Sequence, residues 1–108
     1  MKIVNCLPFD VAIFRDNTKT VTDVYPASEK PVDVVHEESC IGYINDIAVN
    51  SEYDHKVVNL PEKQKDTVYL VSGVVARLRK DRQDLVVPAG AEVNKNRTVA
   101  YTYFKKFA

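Results

Sequence analysis

The sequence predicts an α+β fold, a small mixed and mostly antiparallel sheet of several hairpins with one short helix. Period-two alternation and β-branched residues dominate the first half of the chain. Residues 67–71, TVYLV, leave no polar face for water, which is typical of a strand buried on both sides. From residue 73 the apolar positions follow a helical stripe instead. A length of 108 residues predicts a single domain, residues 1–108.

The first half predicts a series of short strands separated by turns. Asp16-Asn17-Thr18-Lys19 is a polar turn that joins two of them as a hairpin. Asn45-Asp46 tolerates the positive φ that a two-residue hairpin turn requires. The predicted strands are Lys2–Cys6, Asp10–Arg15, Thr20–Tyr25, Val32–His36, Cys40–Ile44, Ile47–Val49 and a short Asp54–Val58.

The second half predicts a strand, a helix and a second strand in direct succession. Thr67–Val71 is expected to be central, and a helix over Gly73–Arg82 follows it. Ser72 is placed to cap that helix, and Leu85–Val87 resumes extended structure. A crossover of this kind would make the two strands parallel. A last hairpin is expected from Ala91–Val93 and Thr98–Phe104 around the turn at residues 94–97.

Composition excludes several classes of protein. Fifteen basic and fifteen acidic side chains cancel, which argues against nucleic acid and membrane surfaces as partners. Three glycines are too few for a Walker loop or a dinucleotide-binding fingerprint. The apolar runs are shorter than the roughly 20 residues that span a bilayer. Two cysteines do not make a disulfide framework, so we expect a cytosolic protein.

Several short motifs together carry a family resemblance. They are Asn5-x-x-Pro8, Ile44–Val49, Leu60-Pro61-Glu62, Tyr69-Leu70-Val71-Ser72 and Asp81-Arg82-x-Asp84-Leu85. In this combination the chain resembles a family of small proteins from tailed bacteriophages and prophage-bearing bacteria. Leu7 and Phe9 stand where that family has Thr and His. The resemblance implies a phage origin and a setting in the host cytosol, and it implies no mechanism.

The Ser72-Gly73 junction is the first candidate site. A strand that ends in Ser and Gly and leads into a helix offers backbone amides and the positive end of the helix dipole to an anion. Arg77 and Arg82 would clamp a phosphate there, with Asp84 orienting the Arg82 guanidinium. The alternative is an ordinary helix cap with solvated arginines. In Asp81-Arg82-Gln83-Asp84, the two carboxylates would orient the Arg82 guanidinium toward a ligand or coordinate a divalent cation. The alternative is a helix end and a turn fixed by internal pairing.

Two further sets of residues were weighed. Cys6, His36, Cys40 and His55 have ligand atoms for zinc, but they lack a CxxC pair, so no metal and no cofactor are predicted. The same residues give no sign of a nucleophile pair, and no catalytic residue is predicted. The tail from Tyr101 to Phe107 interleaves rings with lysines. It suits core packing, base stacking or an edge strand that pairs with a second subunit as a homo-oligomer.

Two hypotheses for function follow. The first is a noncatalytic binder that sequesters a small phosphorylated, nucleotide-like ligand and so counters host defence. Ser72, Gly73, Arg77, Arg82 and Asp84 would hold that ligand. The alternative is a protein-interaction or virion-assembly module that binds a host or phage protein. Enzymatic activity is not expected, because no acid, base or nucleophile can be assembled from residue spacing.

Overall fold

A computed structural model of the protein describes residues 1–14, 21–93, 97 and 99–107. Most of these residues are in strands, and the described part contains one short helix, as the sequence predicts. The elements are β1 (Lys2–Asn5), β2 (Val11–Phe14), β3 (Val21–Tyr25), β4 (Asp33–Ile44), β5 (Ile47–Val58), β6 (Thr67–Leu70), α1 (Gly73–Leu78), β7 (Leu85–Ala89), β8 (Glu92–Val93), β9 (Val99–Ala100) and β10 (Tyr103–Lys105).

The main sheet has four strands in the order β1-β6-β7-β10. β6 lies between β1 and β7 and is parallel to both, while β10 runs antiparallel to β7 along one edge. The prediction of a central strand followed by a parallel crossover through the helix is therefore confirmed. Lys2 donates from its backbone to the Asp66 carbonyl and Cys6 donates to the Leu70 carbonyl, which extends the β1 pairing at both ends.

Side chains of β6, and of Val71 that directly follows it, pack into two separate core clusters. Tyr69 and Val71 belong to one cluster, while Leu70 between them belongs to a second cluster. Because successive side chains of a strand point to opposite faces, one buried strand can serve both. The helix covers the first cluster with Val75 and Ala76. The β2–β3 hairpin covers the second, through Val11, Ile13 and Tyr25.

A long hairpin projects from this sheet. We call residues 33–58 the arm and the remaining described residues the body. β4 and β5 each have 12 residues, so the arm is roughly 40 Å long at about 3.3 Å per residue. The radius of gyration is 17.6 Å, against about 13 Å for a compact chain of this length. The arm accounts for the elongated shape, which extends 58 Å along its longest axis.

The arm corrects one sequence prediction and confirms another. The four short strands predicted between Val32 and Val58 are instead two continuous strands, because bulges at Val35/His36 and Cys40/Gly42 absorb the breaks in the pattern. The turn at its tip is as predicted. Asn45 and Asp46 have φ values of 49° and 64°, the positive angles of a two-residue hairpin turn.

The helix is shorter than predicted. It ends at Leu78 rather than at Arg82, and its C-cap Arg79 has already left helical geometry. Arg79 pairs with Asp81 and Arg82 with Asp84, so local ion pairs stabilise a turn in place of a third helical turn. The last hairpin is also divided, because β8 pairs with β9 while β10 pairs with β7.

Several predicted features lie outside the described residues. They are the turn Asp16–Lys19, the flanking residues Arg15 and Thr20, the residues Asn94, Lys95, Asn96 and Thr98 of the last turn, and the side chain of His55.

Candidate functional site

Ser72 serves as the predicted helix cap. Its side-chain oxygen accepts a hydrogen bond from the Val75 backbone at 3.4 Å, and its carbonyl accepts one from Ala76 at 3.1 Å. The Phe107 ring lies against Gly73, 3.8 Å from where a Cβ would stand. The start of this six-residue helix is thus occupied by the protein's own groups. This geometry is that of a helix cap, one of the two interpretations that the sequence left open.

Arg82 and Asp84 form a paired unit in the body. The Asp84 carboxylate accepts two hydrogen bonds from Arg82, at 2.8 Å and 2.7 Å, and is only 6% exposed. The same guanidinium donates to the Pro61 carbonyl at 3.0 Å. The hydrogen bonds between the two side chains lower the pKa of Asp84 and raise the pKa of Arg82. The pair therefore fastens the Leu60-Pro61-Glu62 loop to the start of β7.

Tyr69 completes this junction. Its hydroxyl donates to the Glu62 carbonyl at 2.9 Å, and the Arg82 guanidinium lies 6.0 Å from its ring centre. Burial, followed by the Asp84 charge, raises the pKa of Tyr69. The Leu60-Pro61-Glu62 and Asp81-Arg82-x-Asp84 motifs thus meet in space, although Pro61 and Arg82 are 21 residues apart in the sequence.

The Arg77 guanidinium lies over the Phe107 ring, at 4.7 Å from the ring centre. Lys105 approaches the same ring at 5.2 Å. These cation–π contacts dock the C-terminal tail on the helix. Among the predicted ligand residues, Arg82 pairs with Asp84, while Arg77 and Gly73 contact Phe107.

A basic cleft opens beside this tail, at the far side of the helix. It has a volume of about 260 Å³. Lys106 is held there by a 2.9 Å hydrogen bond to the Gln83 carbonyl. Of the predicted ligand residues, Arg82 alone lines the cleft. The lining residues are Ala76, Lys80, Arg82, Gln83, Leu85, Lys106 and Phe107. Three cations around one concave surface make it suited to an anionic partner.

An apolar cleft lies on the other side of β10. Its volume is about 400 Å³, and Ile3, Ile13, Phe14, Tyr25, Thr102, Tyr103 and Phe104 line it. Tyr103 lies on β10, an edge strand of the main sheet, and is 58% exposed. The predicted aromatic tail thus does two things, because Tyr101 packs against the second core cluster while Tyr103 and Phe104 remain accessible. Aromatic side chains beside an open strand edge favour association with another chain.

The tip of the arm is the most exposed apolar region of the described structure. Ile44 and Ile47, which face each other across the turn, are 65% and 71% exposed. Tyr43 is 72% exposed, and Ile41, the extra residue of the Cys40/Gly42 bulge, is 69% exposed. Contiguous exposed apolar side chains mark interaction sites, while single ones do not.

Sequence reasoning did not identify this tip. The sequence predicted the strands Cys40–Ile44 and Ile47–Val49 and the turn between them, and it assigned no function to their apolar side chains. The signal that could have found it is the run of polar residues from His36 to Ser39 on one strand and from Asn50 to Glu52 on the other. Such a run separates the apolar tip from both core clusters of the described residues.

Asn5, from the opening motif, organises the entry to the second core. Its side-chain amide donates to the Phe9, Tyr25 and Pro26 carbonyls at 2.9 to 3.1 Å, and its oxygen accepts from Leu7. This network joins the end of β1 to residues 7–9 and to the end of β3. The Asn5 side chain therefore has a structural role in the fold.

Among the described residues, no group of three His, Cys, Asp or Glu side chains is placed to hold a metal ion. Cys6 is buried in the first core cluster and Cys40 is exposed on the arm. Within the same ranges, no helix has the length and apolar character needed to cross a bilayer.

Comparisons with protein-family models, with curated proteins and with solved structures gave no match. The resemblance to phage proteins therefore stays a prediction from sequence motifs.

Proposed function

We propose that the protein is a phage accessory protein that works as a protein-interaction module, with its arm as the binding element. The observation that carries this proposal is the tip of the arm. Four large apolar side chains there are each about two-thirds exposed or more, at the end of a long hairpin. Exposing them to water is unfavourable, at about 25 cal/mol per Å² of apolar surface, so a partner that covers them is favoured.

The construction of the arm supports the same function. Its root is fixed in the first core cluster by Val34 and Val57, while most of β4 beyond Val34 is exposed. An anchored root and an unsupported distal part can present the tip at a distance from the body. Host proteins and other phage proteins are both suitable partners, in a counter-defence or an assembly role.

Crosslinking from the tip tests this function. A photoreactive amino acid at Tyr43 is expected to give a discrete adduct in infected host cells, and the double variant I44S/I47S is expected to abolish it. The matched control is V24S/V99S, because Val24 and Val99 are 54% and 55% exposed but lie on the body. The control should retain the adduct. A chain that gives no adduct from the tip, or an adduct that survives I44S/I47S, contradicts the proposal.

A second candidate function, sequestration of a small phosphorylated ligand, is favoured by the basic cleft. Lys80, Arg82 and Lys106 surround a space of about 260 Å³. The sequence prediction placed this ligand at Ser72 and Gly73, at the start of the helix. The proposed binding site is instead the basic cleft, near the end of the helix. Arg82 would bind the ligand without breaking its ion pair with Asp84.

Thermal unfolding with inorganic phosphate, nucleotides and cyclic dinucleotides tests the second candidate. A ligand at 100 times its Kd is expected to stabilise the protein by about 2.7 kcal/mol. The K80A/K106A variant should lose that stabilisation and keep its fold, since both lysines are exposed. No shift with any of these compounds would remove this candidate.

A further inference from the structure

The formal charge of the chain is zero, but it is divided unequally between arm and body. The arm segment, residues 33–58, has six acidic residues and one lysine, a net charge of −5. The rest of the chain has fourteen basic and nine acidic residues, a net charge of +5. The zero net charge is therefore the sum of two regions of opposite charge. Because the arm projects away from its own body, its acidic residues can approach the basic body of a second molecule instead.

The register of the arm concentrates its negative charge. Glu38 and Glu52 are directly opposite each other in the ladder, and both are exposed. Like charges in this position destabilise a sheet. Glu38 accepts only a long hydrogen bond, 3.4 Å, from the Asn50 amide. A cationic surface placed against this pair would relieve the repulsion.

Residues of the C-terminal segment line two surfaces of the body that suit the arm, one apolar and one basic. Tyr103 and Phe104 line the apolar cleft, while Lys106 and Phe107 line the basic cleft. The arm has an apolar tip at Ile44, which suits the apolar cleft, and an acidic stem at Glu38, which suits the basic cleft. Six residues separate these two positions, which corresponds to roughly 20 Å of strand.

We infer that the partner of the arm is a second copy of this chain, and that the arm of one copy docks on the body of the other. The apolar tip contacts the apolar cleft, and the Glu38–Glu52 stem lies against the lysines of the basic cleft. The inference rests on the proposed function, because it names the partner of the same arm. Pairing of two arms is disfavoured, since it would bring two charges of −5 together.

Arm-on-body docking can be reciprocal. If each copy places its arm on the other, the contact closes as a two-fold dimer and is made twice. Because the stem contact joins exposed charges, association should weaken as salt is raised.

A charge exchange tests this arrangement. The variant E38K/E52K places a basic pair on the stem opposite a basic cleft, and K80E/K106E keeps the acidic pair on the stem but makes the lining of the cleft acidic. Analytical ultracentrifugation of the full chain should show an oligomer for the unaltered protein, with a dissociation constant that rises at least tenfold from 50 to 500 mM salt. Each variant alone should be monomeric. Their equimolar mixture should recover a heterodimer, because both arm-to-body contacts are then complementary.

Other outcomes separate this inference from the proposed function. I44S/I47S should also prevent association, while V24S/V99S should not, and circular dichroism should show that both variants are folded. Association that survives both charge variants but is lost in I44S/I47S would indicate arm-to-arm contact and overturn the inference. A protein that stays monomeric, but whose Tyr43 crosslinks to a different protein, would overturn the inference and leave the proposed function standing.

Discussion

The body and the arm use the same residue types in opposite ways. In β6 the apolar residues fall on both faces and each face meets a core cluster, so Tyr69 and Leu70 are buried. At the tip of the arm, Ile44 and Tyr43 also fall on both faces, but neither face meets another element of the described structure, and both residues are exposed. An apolar, two-sided strand therefore stabilises the fold only where the chain brings layers to both of its sides. Elsewhere the same pattern leaves surface available for a partner.

Truncation of apolar side chains should separate the two regions most strongly. Leu70→Ala, in the buried centre of the sheet, is expected to cost about 4 kcal/mol of unfolding free energy, because it removes packing from a side chain that is 0% exposed. Ile47→Ala at the tip should change that free energy by less than about 0.5 kcal/mol. Urea unfolding followed by circular dichroism measures both. Equal costs at the two positions would mean that the tip is packed and that the comparison fails.

The Arg82–Asp84 pair should make the body sensitive to acid. Asp84→Asn is expected to cost about 3 kcal/mol at pH 7, because it leaves the mostly buried guanidinium without its counter-charge. The native pKa of Asp84 lies below its unfolded value, so the carboxylate stabilises the fold above about pH 3.9, and this is lost as the pH falls through the native pKa.

Urea unfolding between pH 7 and pH 2 checks this. The unaltered protein should lose stability over the acid range, and the Asp84→Asn variant should lose less. Asp81→Asn is the matched control. Its carboxylate pairs with Arg79 in the same way but is exposed, so the unfolding midpoint should hardly move. A steeper acid loss in the Asp84 variant would contradict the assignment.

Two glycines of the body should respond in opposite directions. Gly90 has φ of +67°, and a Cβ there would overlap the Thr102 hydroxyl and the Tyr103 ring, so Gly90→Ala should cost about 2 to 3 kcal/mol. Gly73→Ala places its Cβ at ordinary contact distance from Phe107 and should stabilise the protein by about 0.5 kcal/mol. Differential scanning calorimetry distinguishes the signs, and destabilisation by Gly73→Ala would show that the tail needs the space.

The two cysteines provide the mildest comparison. Cys40 is exposed on the arm and should react at once with a thiol reagent, with no measurable loss of stability. Cys6 is buried, and burial raises its pKa, so its thiolate is both rarer and shielded. Its reaction should be at least about 10³-fold slower, because it requires opening of the core. Stopped-flow absorbance should resolve one fast phase, from Cys40, and one slow phase, from Cys6. Two fast phases would show that the thiol reagent reaches Cys6 without opening of the core.

Local patterns determined much of the fold. The run from Val68 to Val71 predicted a central strand, Ser72 predicted the helix start, and Asn45-Asp46 predicted the hairpin turn, because each depends on backbone chemistry within a few residues. The helix end was predicted too far along, since the competing Arg82–Asp84 pair is made in the turn and is supported by the distant Pro61 carbonyl. The predicted ligand residues are near one another in sequence, yet their side chains have separate partners.

By itself the sequence determined the strand-rich class, the lone described helix and the two-residue turn, and it fixed the number of charges of each sign. Only the tertiary structure decided that residues 33–58 form one continuous hairpin, that its apolar tip meets no core, and that the charges divide into an acidic arm and a basic body. The reason is that alternation specifies which side chains share a face of a strand, whereas burial of that face depends on whether another layer of the chain reaches it.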